Sequence, residues 1–167
     1  MEPRFVRRLT AEYKRMVDNE KCPYTVELKD GNLRDWIVTI PGPADTAYEG
    51  LNLKLSIAIP DGWPIEPPHF HFISKVFHPN VWKNGEICLD VNKKEKYSPA
   101  LDMEARVDNL VILLQDANCL SPANGDAASL WNNKIAFKNE VQKFYRSLGV
   151  CYSKGCSVIT YLFLKVN

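Results

Sequence analysis

The sequence predicts an α+β fold, and three observations carry that expectation. Apolar residues recur at helical spacing near the N-terminal end, four consecutive segments then alternate with period two, and helical spacing returns after residue 102. The expected order is an N-terminal helix, a four-stranded antiparallel meander, a long irregular segment and C-terminal helices. At 167 residues the chain suits one domain, assigned to 1–149, with 150–167 as a short apolar C-terminal extension.

Each element has its own signal. Phe5, Leu9, Tyr13, Met16 and Val17 define an amphipathic helix over residues 4–18. Its other face carries Arg4, Arg7, Arg8, Lys14 and Arg15, which reads either as a solvated face or as a docking surface for an acidic partner. Tyr24, Val26 and Leu28 alternate with polar residues, and Asp30-Gly31 signals a hairpin into a second strand from Trp36 to Ile40. Leu51, Leu53, Leu55, Ile57 and Ile59 give the cleanest alternation, a half-buried antiparallel strand. After the breaker-rich residues 60–68 a short strand places Phe70 and Phe72 on one face. No period fits residues 77–101, and a long irregular segment in a compact domain is usually functional. Met103, Val107, Leu110, Val111 and Leu114 restore helical spacing; Ile135, Phe137, Val141, Phe144, Tyr145 and Leu148 repeat it, with Gly149 placed as a C-terminal cap.

Composition excludes several classes. Lys plus Arg number 21 and Asp plus Glu 20, a net charge of +1 that gives no support for a nucleic-acid or membrane-surface binder. The five cysteines (Cys22, Cys88, Cys119, Cys151, Cys156) are odd in number and mostly far apart, which reads as reduced thiols in a cytosolic compartment. His69 and His71 share a strand face, but no carboxylate or cysteine cluster joins them and no metal site is expected. Trp36, Trp63, Trp82 and Trp131 read as core or loop anchors. The apolar tail ending at Lys165 falls short of the ~20 residues a membrane span needs.

Within the irregular segment, HPNVWKNGEICLD (78–90) sets one cysteine ten residues after a histidine. The spacing suits neither zinc nor a disulfide framework. A covalent catalyst and a buried structural cysteine both remain open on that fragment alone.

The order of Gly42-Pro43, Tyr48-Glu49-Gly50, Pro67-Pro68, His78-Pro79-Asn80, Cys88 and Ser98-Pro99-Ala100 resembles the ubiquitin-conjugating enzymes over residues 4–148. The resemblance implies the UBC fold, with Cys88 accepting the ubiquitin C-terminus as a thioester from an activating enzyme and passing it to a substrate lysine or to a ligase. The implied partners are ubiquitin, the activating enzyme, a ubiquitin ligase and substrate proteins; no cofactor is implied. A thiolate must attack, and thioester exchange needs no strongly depressed thiol pKa.

Asn80 is then expected either to donate to the oxyanion formed when an amine attacks or to brace its loop. His78 reads as structural. Ser121 stands where many members carry an acidic residue that orients or deprotonates the lysine; the alternative is a cap for a helix begun by Pro122. Arg4, Arg7 and Arg8 resemble the face that meets the activating enzyme, and Ile65, Ser98, Pro99 and Ala100 the two loops that ligases grip. Ile65 replaces a frequent phenylalanine and Glu66 a frequent basic residue, which leaves ligase choice open. Ser121-Pro122 and the "RLTAEYK" stretch resemble the peroxisomal branch. Ser121 also resembles a cell-cycle type, but residues 91–97 are too short for that type's acidic insertion. The expected location is the cytoplasm, with the nucleus and the peroxisome surface as alternatives. Another ubiquitin-like modifier and a noncatalytic scaffold of the same fold are the competing functions; Cys88 argues against the scaffold.

Overall fold

A computed structural model describes residues 4–87 and 97–149 of the chain. Cys88, Cys151, Cys156 and the 150–167 extension lie outside the described residues.

The order is α1 (Arg4–Asp18), β1 (Thr25–Leu28), β2 (Asp35–Pro41), β3 (Asn52–Ala58), β4 (His69–Phe72), α2 (Met103–Gln115), α3 (Gly125–Trp131) and α4 (Lys134–Ser147). The four strands form one antiparallel sheet in sequence order, the expected meander. Val38 lies opposite Leu55, and Leu55 opposite Phe72. One face is therefore apolar throughout, with Trp36, Val38, Ile40, Leu53, Leu55, Ile57, Phe70 and Phe72 all buried. Each large aliphatic residue in this layer contributes about 2 kcal/mol of burial. Strand residues, helix faces and the loop residues Val76 and Val81 make one core.

The hairpin at Asp30-Gly31 is present, both residues having positive φ, but its connection is longer than a two-residue turn. A single 3-10 turn over Lys29–Gly31 precedes Asn32, whose Oδ1 accepts the Arg34 N–H, and Leu33, whose carbonyl accepts the Trp36 indole N–H at 2.7 Å.

Three apolar assignments shift. Val17 is 49% exposed, because the buried stripe of α1 runs through Leu9, Glu12 and Met16. Ile135 is 76% exposed; at 100° per residue it stands 200° from Phe137 and 240° from Val141, off the buried face of α4. Leu148 is 40% exposed at the end of that helix. Gly149 follows at φ +77°, with its N–H on the Arg146 carbonyl, as the predicted terminating glycine.

Helix α3 starts three residues after Pro122, where the capping alternative for Ser121 would have begun a helix. Seven residues are too short to display a period, and its clearest signal was Asn124, whose Oδ1 accepts the Ala127 N–H as N-cap.

Glu12, an acidic residue on α1, is only 6% exposed. Its Oε2 accepts the N–H of Met103 at 3.0 Å, and its Oε1 accepts from Arg8 Nε at 2.7 Å. Asp102 caps Ala105 at the same end of α2. Two carboxylates thus meet the positive end of α2 and tie it to α1.

Candidate active site

Residues 77–87 leave the sheet and fold back across it. The Phe72 N–H donates to the Gly85 carbonyl at 2.9 Å, and isolated bridges join His71 to Glu86 and Val81 to Ile87. The turn closes through Trp82 N–H to Glu86 O and Gly85 N–H to Trp82 O. Gly85 is required there: its φ is +97°, and a Cβ would lie 2.2 Å from the Phe72 carbonyl oxygen. His71 Nε2 lies 2.7 Å from the Asn84 carbonyl, so this histidine pins the turn. No group of three or more potential metal-binding side chains occurs among the described residues.

The His78-Pro79-Asn80 segment is held from below by aromatic rings. The Tyr48 hydroxyl donates to the Phe77 carbonyl at 2.7 Å, and the His78 ring meets Trp131 edge-on at 5.1 Å. His78 is fully buried, and its Nδ1 accepts the Asn80 N–H at 3.0 Å. The proton of the neutral ring therefore belongs on Nε2, which meets no hydrogen-bond geometry among the described residues; the Leu113 carbonyl is the backbone acceptor that acts on the ring. Burial pushes the His78 pKa down to about 3, with that carbonyl opposing the shift. Such a ring is a poor base, and its accepting nitrogen is already occupied. The structural reading of His78 holds.

Asn80 is 1% exposed and reaches Asn118, just after α2. Its Nδ2 donates to the Asn118 carbonyl at 2.7 Å, and its Oδ1 accepts the Asn118 N–H at 2.8 Å. One side chain thus pairs with both backbone groups of one residue, the bracing expected of an Asn in a loop. Pro79 makes the second pair of bonds: its carbonyl accepts the N–H groups of Ala123 at 2.8 Å and Asn124 at 3.0 Å. Residues 118–124 are thereby fastened at both ends to His78-Pro79-Asn80. Cys119, Leu120 and Ser121 form the exposed crest between the fastenings, Leu120 being 96% exposed.

Ser121 does not cap a helix. Helix α3 begins at Gly125, and Asn124 is its cap, so that alternative is corrected. Ser121 is exposed in the loop, four positions before the first helical residue. Asn118, the partner that orients this crest, went unrecognised in the sequence. Its only signal was a polar break after an apolar helix.

The partner-surface residues fall into two groups. Arg4 and Arg7 are exposed on α1. Arg8 turns inward: besides Glu12, its guanidinium lies 4.9 Å from the Trp63 ring. Ile65 is 76% exposed at one loop tip, while Ser98 and Ala100 are exposed and Pro99 half-buried on another. The two cysteines among the described residues differ in character. Burial pushes the Cys22 thiol up, reinforced by Glu104 and Asp108, whereas Cys119 is exposed.

Fold and motif together define a carrier of the ubiquitin-conjugating class, and comparison with known proteins agrees. The family model described as ubiquitin-conjugating enzyme matches residues 8–145. Ubiquitin-conjugating enzyme E2-20 kDa of Schizosaccharomyces pombe is 40% identical over 120 residues, covering 71% of this chain and 68% of the relative. Ubiquitin-conjugating enzyme E2 2 of Saccharomyces cerevisiae is 37% identical over 127 residues, covering 76% and 73%. Among solved structures, the H. polymorpha ubiquitin conjugating enzyme Pex4p, crystallised with the soluble domain of Pex22p, superposes with a TM-score of 0.76 at 29% identity, covering 85% of this chain and 96% of that one. The chain belongs to the ubiquitin-conjugating enzyme family. It is a transferase of ubiquitin conjugation, and its partners are of the kinds that family uses: ubiquitin, an activating enzyme and ligases.

Proposed function

We propose that Cys88 is the residue that carries ubiquitin, and that Asn80 and Ser121 serve the step that releases it. In loading, the Cys88 thiolate attacks the thioester carbonyl on the activating enzyme, and that enzyme's cysteine leaves as a thiolate. In discharge, a substrate lysine amine attacks the new thioester. The C–S bond breaks, Cys88 leaves as a thiolate, and the amine loses its proton as the amide forms.

The observation that carries this reading is the double fastening of residues 118–124 onto His78-Pro79-Asn80. It sets the crest with Ser121 against a segment that itself pairs, through Val81, with Ile87, the residue before Cys88. In this reading one Nδ2 hydrogen of Asn80 holds Asn118 and the other is the donor for the oxyanion. Ser121 orients the amine through its hydroxyl without being a strong base. Arg4 and Arg7 meet the activating enzyme; Ile65, Ser98, Pro99 and Ala100 meet the ligase. Substrate proteins supply the lysine. The proposed place of action is the cytoplasm, and the likeness to Pex4p supports recruitment to the peroxisome surface through a partner of the Pex22p kind.

Incubation with activating enzyme, ATP and ubiquitin, read on non-reducing gels, tests the assignment. A thiol-sensitive adduct is expected, lost or converted to a thiol-resistant ester in Cys88→Ser. An adduct that forms only with another modifier would replace ubiquitin in this reading, and none with any modifier would favour the scaffold.

A further inference from the structure

The two loops assigned to ligases are joined to each other by side chains that no motif singled out. The first, residues 60–68, carries Ile65; the second, residues 97–101, carries Ser98, Pro99 and Ala100. The Tyr97 hydroxyl donates to the Pro64 carbonyl at 2.8 Å and lies 3.4 Å from that of Glu66, on either side of Ile65. Tyr97 is in turn held from α2. The Arg106 guanidinium lies 4.5 Å from the Tyr97 ring, and its Nη2 donates to the carbonyls of Ser98 at 2.6 Å and Leu101 at 2.9 Å. Arg106 is 6% exposed, so this cation is committed to the second loop and not to solvent. From α1, Arg8 adds its contact over Trp63 in the first loop and a long bond of 3.4 Å to the Leu101 carbonyl in the second.

We propose that Tyr97 and Arg106 are positioning residues for ligase recognition: together they hold the Ile65 loop and the Ser98-Pro99-Ala100 loop at one fixed spacing, so that a ligase meets a preformed pair. The proposal rests on the reading that these loops meet ligases. The physical reason is that exposed loops otherwise lose conformational freedom on binding, at a cost that weakens association. Preforming both together removes most of that cost. Planar Arg106 can stack on an aromatic ring while bonding two carbonyls, which a lysine ammonium cannot do with the same geometry.

The test uses the full chain with Tyr97→Phe and Arg106→Lys. Tyr97→Phe keeps the ring and deletes only the hydroxyl's contacts with the Pro64 and Glu66 carbonyls, so it should fold. Amide exchange by mass spectrometry is read on the peptide spanning residues 60–68, where Ile65 and Glu66 N–H groups both donate to the Gly62 carbonyl. We expect this exchange to quicken about fivefold in Tyr97→Phe, the effect of losing one hydrogen bond. Discharge of ubiquitin-charged chain is then measured with the ligase domain that best stimulates the wild type among a purified panel. The ligase concentration at half-maximal stimulation should rise about fivefold. The maximal rate, unassisted lysine discharge and loading by the activating enzyme should stay within twofold. Arg106→Lys should shift the same half-maximal concentration by at least as much. Unchanged exchange in Tyr97→Phe would overturn the tie between the loops. Loading and unassisted discharge falling in step with the ligase response would overturn the positioning role in favour of general destabilisation. If no ligase domain stimulates the wild-type chain, the ligase reading beneath the proposal falls, while the exchange arm still decides whether the tie exists.

Discussion

Replacing Asn80 by alanine removes two short hydrogen bonds at once, Nδ2–H to the Asn118 carbonyl at 2.7 Å and the Asn118 N–H to Oδ1 at 2.8 Å. Alanine offers nothing in return, so both Asn118 backbone groups lose a partner beside a residue that is 1% exposed. Losing such a hydrogen bond at a buried site costs about 1–3 kcal/mol. Asn118 stands at the surface, where water can recover part of the loss, so a total of about 3 kcal/mol is reasonable for the pair. In a domain of this size ~1 kcal/mol moves Tm by about 2–4 °C, so the variant should melt about 6–12 °C lower. The chemical consequence is separate. Loading should change by less than about threefold, while discharge to free lysine should fall by about 10²-fold, because the attack by an amine depends on the oxyanion donor and on the fastened crest. Melting followed by circular dichroism gives the first number. Single-turnover loading and discharge at a temperature well below Tm give the others. A Tm within 2 °C of wild type would refute the bracing energetics, and equal losses in loading and discharge would refute the oxyanion assignment.

Three further outcomes follow from the same geometry. Ser121→Asp should speed unassisted lysine discharge by about fivefold, the effect of ~1 kcal/mol on a barrier, with loading unchanged; because Asn124 is the helix cap, a slower or equal rate cannot be blamed on lost capping and would remove Ser121 from the chemistry. Burial lowers the His78 pKa from 6.5 to about 3, so between those values the unfolded chain binds a proton the folded chain refuses, and stability must fall as pH falls. Denaturant unfolding should lose about 2 kcal/mol from this group between pH 7 and pH 5, and His78→Asn should show a slope flatter by that amount; identical slopes would contradict a neutral buried ring. Cys22→Ala and Cys119→Ala should both charge at the wild-type rate, since burial pushes Cys22 up and Cys119 lies on the crest fastened by Asn118; loss of the adduct in a folded variant of either would overturn the choice of Cys88.

The fold was largely written into local pattern. A meander follows from Leu51 to Ile59 and its neighbours because alternation fixes which face of each strand is buried, and consecutive strands with no helix between them pair antiparallel. The sequence by itself also determined the motif order from Gly42-Pro43 to Ser98-Pro99-Ala100 and, through it, the family. It could not separate Met16 from Val17 or assign Ile135, since a helix reveals its period before it reveals its phase, and phase depends on the neighbour it meets. Only the tertiary structure decided that Glu12 is buried at the start of α2, that Asn80 grips Asn118 across 38 residues of chain, and that Tyr97 bonds Pro64 across 33. These are polar contacts between segments remote in sequence, and they carry no periodicity. A hydrogen bond depends on a partner at the right distance and angle, and that partner is supplied by packing alone.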